Sequence, residues 1–522
     1  MTTCLWTSMV PAFGILTPIL SITVSGVRSS FRWADYATLG VYLVATLGIG
    51  LYFSGREKTT RDFFLGGERV PWWAAGLSIF ATQLSAITFM SIPAKAFDAD
   101  WTYIIIHVTI VLVAPVAVFF YLPFFRRLKL TTAYQYLEKR FNAAVCVLGA
   151  IAYCLMQLAR MGIVLFLPSL ALSTVTDLNI YASILVMGVV CTVYTTFGGI
   201  EGVIWTDVVQ AVVLLGGALL CVAIIALNVE GGFTGIIDIG IHNNKFNIVN
   251  FSWTWTSTSF WVVFVGNFFS NLAPYCADQT VIQRYLTTPT ERQAARAIWT
   301  NAVMTIPAGL IFFFLGTALF AFYATRPQNL DPNLGSDAIL PWFIVHELPS
   351  GLAGLVVAAI FAATMSTFDS ILNSMATVLV TDLYQRLKPG SADSLRLLLA
   401  QIITVILGIF GIGCSLVMAI YPIKSMWDLF IVLLGLLGSG LVGIFTLGIF
   451  TRRANSFGAI TGFVCSTVVL FSIRQYTQIH FFLYPAIGIV TCFSVGYLGS
   501  LFAKQSKWCS SDLTIYEFFK KK

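Results

Sequence analysis

The chain reads as an all-α polytopic membrane protein, and three observations carry that expectation. Of its 522 residues, 58% are hydrophobic and only 10% are charged, with a mean hydropathy of +0.85; a soluble fold of this length needs far more charge on its surface. The apolar residues gather into segments of roughly 18 to 30 residues, each long enough to cross a hydrocarbon layer of about 30 Å. Lysines and arginines collect in alternate intervals between the segments, the bias that orients membrane proteins.

Residues 1–33 are an N-terminal extension. Its apolar stretch 9–28, which ends Val27-Arg28-Ser29-Ser30, is a short extra span, a cleaved targeting peptide or a start-site artefact. From Ala34 onward thirteen spans are expected, at 34–54, 72–97, 101–125, 143–172, 180–198, 203–228, 257–278, 296–324, 350–384, 397–420, 427–450, 456–474 and 480–503. With the residues before the first span outside, the inside loops hold most of the basic residues, among them Arg56, Arg61, Arg69, Arg126, Lys139, Arg284, Arg292, Arg386, Arg396 and Arg452. A short tail, 504–522, is then cytoplasmic, and the protein is expected in the plasma or inner membrane with the bilayer as its surroundings. An odd count also fits an inverted repeat, 72–228 and 257–450, whose first helices are broken and whose site lies at the midplane.

Several function classes are disfavoured. The sequence has no HExxH, Walker A or GxSxG pattern, so no enzyme is expected, and no inside loop is long enough for a nucleotide domain. Ten cysteines without a CxxC pair read as buried small hydrophobes. Loop bias accounts for the formal charge of +7, so neither nucleic acid nor an obligate protein partner is implied.

Phe80 to Phe89 is the stretch around which the chain is organised. It lies in an apolar segment yet carries Thr82, Gln83, Ser85 and Thr88. Unsatisfied polar groups in hydrocarbon cost several kcal/mol, so these side chains face a partner helix, a cavity or a solute. The corresponding segment of the second half is Gly266 to Tyr285, where Asn267, Asn271 and Pro274 mark the expected interruption. Phe361 to Ser374 is a third polar island, in which Ser366, Asp369 and Ser370 share a helical face. Hydroxyl, carbonyl and carboxylate oxygens suit a hard monovalent cation such as Na+; hydrogen bonding between helices is the other reading.

Asp207 is either an intramembrane carboxylate, with Ser366 and Ser370 as its expected partners, or a helix cap near the membrane edge. Arg160, in mid-span, holds a carboxylate substrate or pairs with Asp207 or Asp369. His107, one turn from Tyr103, is a ligand or a satisfied donor.

At these residues the sequence resembles the sodium:solute symporter family. The likeness is carried by Phe63-Phe64-Leu65-Gly66-Gly67, the run Gly198 to Asp207, Asp278-Gln279 with Gln283-Arg284-Tyr285, and Ser366 to Ser374, and it covers the chain from Trp33 to about Ala503. Within the family it looks most like the bacterial sialic acid symporters, through Ser91 to Ala96 and Gly199 to Asp207. The resemblance implies a LeuT-like 5+5 inverted repeat and one or two coupling sodium ions. The first sodium would lie between the carbonyls of Ala81 and Leu84 and the residues Ala363, Ser366 and Thr367. A second would fall on Asp207, Ser366, Asp369 and Ser370, with Asp369 standing where the pattern has serine. The substrate residues implied are Gln83, Ser85, Thr88, Tyr103, His107 and Arg160. Ser85, Thr88 and Arg160 match the sialic acid pattern; Gln83, Tyr103 and His107 replace threonine, phenylalanine and glutamine. Sodium-driven import of sialic acid or a similar carboxylated sugar is therefore expected. The alternatives are a neutral sugar, polyol or monocarboxylate as cargo, or a receptor that binds solute without moving it.

Overall fold

The computed structural model describes residues 31–176, 178–421, 424–502 and 513–518, and among them every regular element is helical. The stretch 9–28 and most of the tail at 504–522 lie outside the described residues. The helices that build the bundle are α1 (Trp33–Phe53), α2 (Trp72–Gln83), α3 (Ala86–Asp98), α4 (Ile105–Val116), α5 (Ala143–Ser173), α6 (Ile180–Asn228), α7 (Phe260–Cys276), α8 (Gln279–Leu286), α9 (Glu291–Thr325), α10 (Leu352–Val378), α11 (Asp393–Ile420), α12 (Lys424–Phe450), α13 (Ser456–Tyr476) and α14 (Tyr484–Phe502). Among the described residues nine helices are long and apolar enough to cross a membrane, or eleven when each of two sharply bent pairs counts as one span.

The expected spans 180–198 and 203–228 are not separated by a loop; both lie in α6, a run of 49 residues interrupted only at Gly199 (φ 52°, ψ −155°). There the chain folds back on itself. Tyr194 and Gln210 are 16 positions apart, which is about 24 Å along a straight helix, yet their side chains are hydrogen-bonded at 3.5 Å. Only glycine fits the fold point. A Cβ on Gly199 would stand 2.8 Å from Cδ of Glu57, and one on Gly198 would stand 2.6 Å from the carbonyl oxygen of Gly50. Glu57 is itself buried, and neither of its carboxyl oxygens has a hydrogen-bond partner.

The two bent pairs open the segments expected as halves, 72–228 and 257–450. α2 and α3 bend by 59°, α7 and α8 by 53°. The second break falls at Ala277 and Asp278, beyond the expected position, because Pro274 is accommodated inside α7 and the chain leaves helical geometry only after Cys276. Asp278 then caps α8 by accepting a hydrogen bond from the Thr280 amide.

α10 stands at the centre. Every residue from Val356 to Val378 is buried, and the helix packs against α1, α5, α6 and the α2–α3 break. A helix apolar on some faces and hydroxyl-rich on another, with no lipid-facing stripe, is stable only where neighbouring helices satisfy those hydroxyls.

Candidate functional site

The α2–α3 break faces α10. Leu84 leaves helical geometry (φ −87°, ψ 78°), so the Thr88 amide donates not to the Leu84 carbonyl but to Oγ of Ser85, at 3.4 Å. Backbone oxygens are thereby freed at membrane depth beside the hydroxyls of α10. Ser366 Oγ donates to the Ala81 carbonyl at 3.0 Å and the Ala363 carbonyl at 3.2 Å. Thr367 Oγ1 donates to the Thr82 carbonyl at 3.4 Å and the Ala363 carbonyl at 3.2 Å. Ala81, Ala363, Ser366 and Thr367 are thus brought together from two helices distant in sequence, with Leu84 at the break itself. Such a cluster of neutral oxygens, shielded from water, has the donor chemistry a desolvated alkali cation requires.

Asp207, Asp369 and Ser370 lie in one buried network whose centre is a residue the sequence reading placed in a loop. The Arg284 guanidinium is fully buried: it pairs with Asp207 at 3.0 Å and donates to Ser78 at 2.7 Å, Ser370 at 2.5 Å and the Thr280 carbonyl at 2.6 Å. Asp207 also accepts from Ser78 at 2.5 Å, while its other oxygen has no partner. Its contacts are therefore Ser78 and Arg284, not the expected Ser366 and Ser370, because the guanidinium stands between it and α10. Asp369 accepts from the Tyr194 hydroxyl at 2.5 Å and from Ser370 at 3.2 Å. Arg284 was hidden by its context. Basic residues shortly before an apolar span read as loop charge, whereas all eight residues of α8 are buried.

The six expected substrate residues divide between two cavities. Ser85 and Arg160 line one of about 450 Å³, together with Asn267, Asp278 and Ser439. Gln83, Thr88, Tyr103 and His107 line another of about 360 Å³, with Asn271 and Thr305. The hydroxyls of Ser85 and Thr88, 3.2 Å apart, link the two groups. The carboxylate whose charge acts on Arg160 is Asp278, rather than Asp207 or Asp369; Asp278 is in turn held by Gln157 at 3.3 Å and by Thr280 at 2.6 Å. In the smaller cavity the polar atoms of Gln83 and His107 are buried, Gln83 beside the Tyr275 hydroxyl and His107 beside the Ile104 backbone. Polar side chains gathered round a cavity at membrane depth mark a place for a polar ligand. Asp278, Asn271 and Thr305 were missed as cavity residues; the signal available was only their polarity within apolar runs.

Comparison with known proteins gives the family of the chain. Residues 63–465 match the model of the sodium:solute symporter family. The chain is 40% identical over 470 residues to the sodium/sialic acid symporter NanT of Aliivibrio fischeri, covering 90% of this chain and 93% of that one. It is 39% identical to the sodium/sialic acid symporter SiaT of Proteus mirabilis, covering 92% and 98% respectively. A solved structure of a Na+-coupled sialic acid symporter in a substrate-bound outward-open state superposes with a TM-score of 0.87 at 38% identity, covering 91% of this chain and all of the other. With a family model spanning most of its length and an oxygen cluster suited to sodium at its centre, the chain belongs to the sodium:solute symporter family and is a multi-pass, sodium-coupled transporter.

Proposed function

We propose that the solute is sialic acid or a closely similar carboxylated sugar, imported together with one or two sodium ions. The observation that carries this reading is the shared cavity of Arg160 and Ser85, joined through Thr88 to a second cavity lined by Gln83, Tyr103 and His107. A guanidinium and a hydroxyl grip a carboxylate, and Gln83, Tyr103 and His107 offer mixed donors and acceptors to a polyhydroxylated body. The relatives that transport sialic acid support the same assignment.

The first sodium binds among Ala81, Leu84, Ala363, Ser366 and Thr367. On binding, the two hydroxyls turn their lone pairs inward and release the carbonyls they now bond, so the ion ties the break to α10 and completes the solute cavities. A second sodium binds at Asp207, Ser366, Asp369 and Ser370 once the Arg284 guanidinium, which stands between Asp207 and α10, moves aside. Two carboxylates and one guanidinium leave that network one negative charge in excess when both acids are ionised, and a cation removes the excess. Each ion that enters adds about 2.3 kcal/mol of driving force per 100 mV of membrane potential.

In this reading the chain crosses the membrane thirteen times, the two halves 72–228 and 257–450 are inverted repeats, and residues 504–522 are a cytoplasmic tail. The two bends, at corresponding places in the halves, support the repeat. Uptake of labelled sialic acid into proteoliposomes, with and without a sodium gradient and against a panel of sugars and monocarboxylates, tests the assignment. Uptake that ignores sodium, or a panel in which sialic acid does not compete, defeats it.

A further inference from the structure

The smaller cavity is shaped by a residue that contributes no side chain to it. His107 on α4 is 6% exposed, and its ring lies against Gly309 on α9. A Cβ added to Gly309 would stand 2.8 Å from two ring carbons of His107 and 2.9 Å from a third, closer than unbonded carbons approach in packed interiors. One turn further along α9, Phe313 meets the same imidazole edge-on, with ring centroids 6.2 Å apart. α9 therefore supplies both a gap and a wall, and the ring is confined between them. Thr305, one turn before Gly309, lines the cavity beside His107. The confined ring lines a cavity that also holds Tyr103 and Gln83.

We infer that Gly309 is a positioning residue for substrate specificity: by lacking a side chain it seats the His107 imidazole where it can hydrogen-bond a hydroxyl or acyl group of the bound sugar. This rests on the substrate reading above. A neutral imidazole carries one donor and one acceptor at fixed angles, so a displacement of the ring by less than an ångström misaligns both. Gly309 acts on the solute only through His107, and that dependence is what separates a positioning role from a merely structural one.

The test is a double-mutant cycle in proteoliposomes, with sialic acid as probe. Gly309→Ala is expected to raise KM for sialic acid about tenfold, with little change in kcat and none in the sodium concentration for half-maximal uptake. In the His107→Ala background, where the ring is gone, adding Gly309→Ala is expected to leave KM unchanged. An equal rise in both backgrounds, or no rise in either, overturns the inference. If Gly309→Ala alone does not fold, the double variant must, because the clash has been removed; its failure to fold also overturns the inference. If the wild type takes up no sialic acid, the substrate reading fails by itself, and the same cycle is scored on whichever sugar of the panel the wild type accumulates.

Discussion

Arg284 Nη2 lies 3.0 Å from Asp207 Oδ2, and both side chains are fully buried. The pair fastens α8, the second arm of one broken helix, to the second half of α6, and through Ser78 and Ser370 it reaches α2 and α10 as well.

Removing one partner leaves the other charge stranded. Arg284→Met should destabilise the protein by about 3–5 kcal/mol, the usual cost of breaking a buried pair, and a large fall in thermal unfolding temperature in detergent should report it. Asp207→Asn combined with Arg284→Met should recover part of the loss. A single variant as stable as the wild type would show that the pair contributes little.

Ser366→Ala deletes the hydroxyl 3.0 Å from the Ala81 carbonyl. Sodium affinity should fall by about tenfold, or about 1.4 kcal/mol, measured as the sodium concentration for half-maximal uptake. At saturating sodium, KM for solute should return close to the wild-type value. An unchanged sodium dependence would remove Ser366 from the ion site.

Arg160→Ala should weaken uptake of a carboxylated solute by about 1.5–3 kcal/mol, the range for a hydrogen bond to a charged group. Competition by the uncharged methyl ester should separate charge from shape: the wild type should prefer the acid, and the variant should lose that preference. Equal discrimination in both proteins would place the carboxylate elsewhere.

Glu57 makes stability depend on pH. Burial, with Glu201 and Asp62 nearby and only Arg69 opposing, pushes its carboxyl from 4.5 up to about 9. Between those values the folded protein keeps a proton that the unfolded chain releases, so this group's contribution falls as pH rises, by at most about 1.4 kcal/mol per unit. Glu57→Gln keeps the neutral shape and should flatten that decline in unfolding measurements between pH 5 and about 9. A variant that tracks the wild type across the range would mean Glu57 is already solvated.

Some of this was legible in the sequence, for a physical reason. Polar side chains in hydrocarbon are costly, so the islands at Thr82 to Thr88 and Ser366 to Ser370 announce themselves, and both meet at the break. Arg284 did not announce itself: its burial depends on a carboxylate 77 positions away, and beside an apolar span its charge looks like loop bias. Arg160 stood out, but its electrostatic partner Asp278 sits at a break beyond Pro274, which α7 absorbs. The hairpin in α6 was hinted at by Gly198-Gly199, yet Glu57, which closes on it, comes from another part of the chain. Local composition shows where polarity is needed; it does not show which distant group supplies the other half.

The complete enclosure of α10 from Val356 to Val378 limits what the chain can tolerate. With neighbours on every side a larger residue has to displace one of them, so viable replacements along this stretch should be of equal or smaller size. Random mutagenesis scored for growth on the transported nutrient would then leave a one-sided record there, of trimmed side chains and almost no enlarged ones.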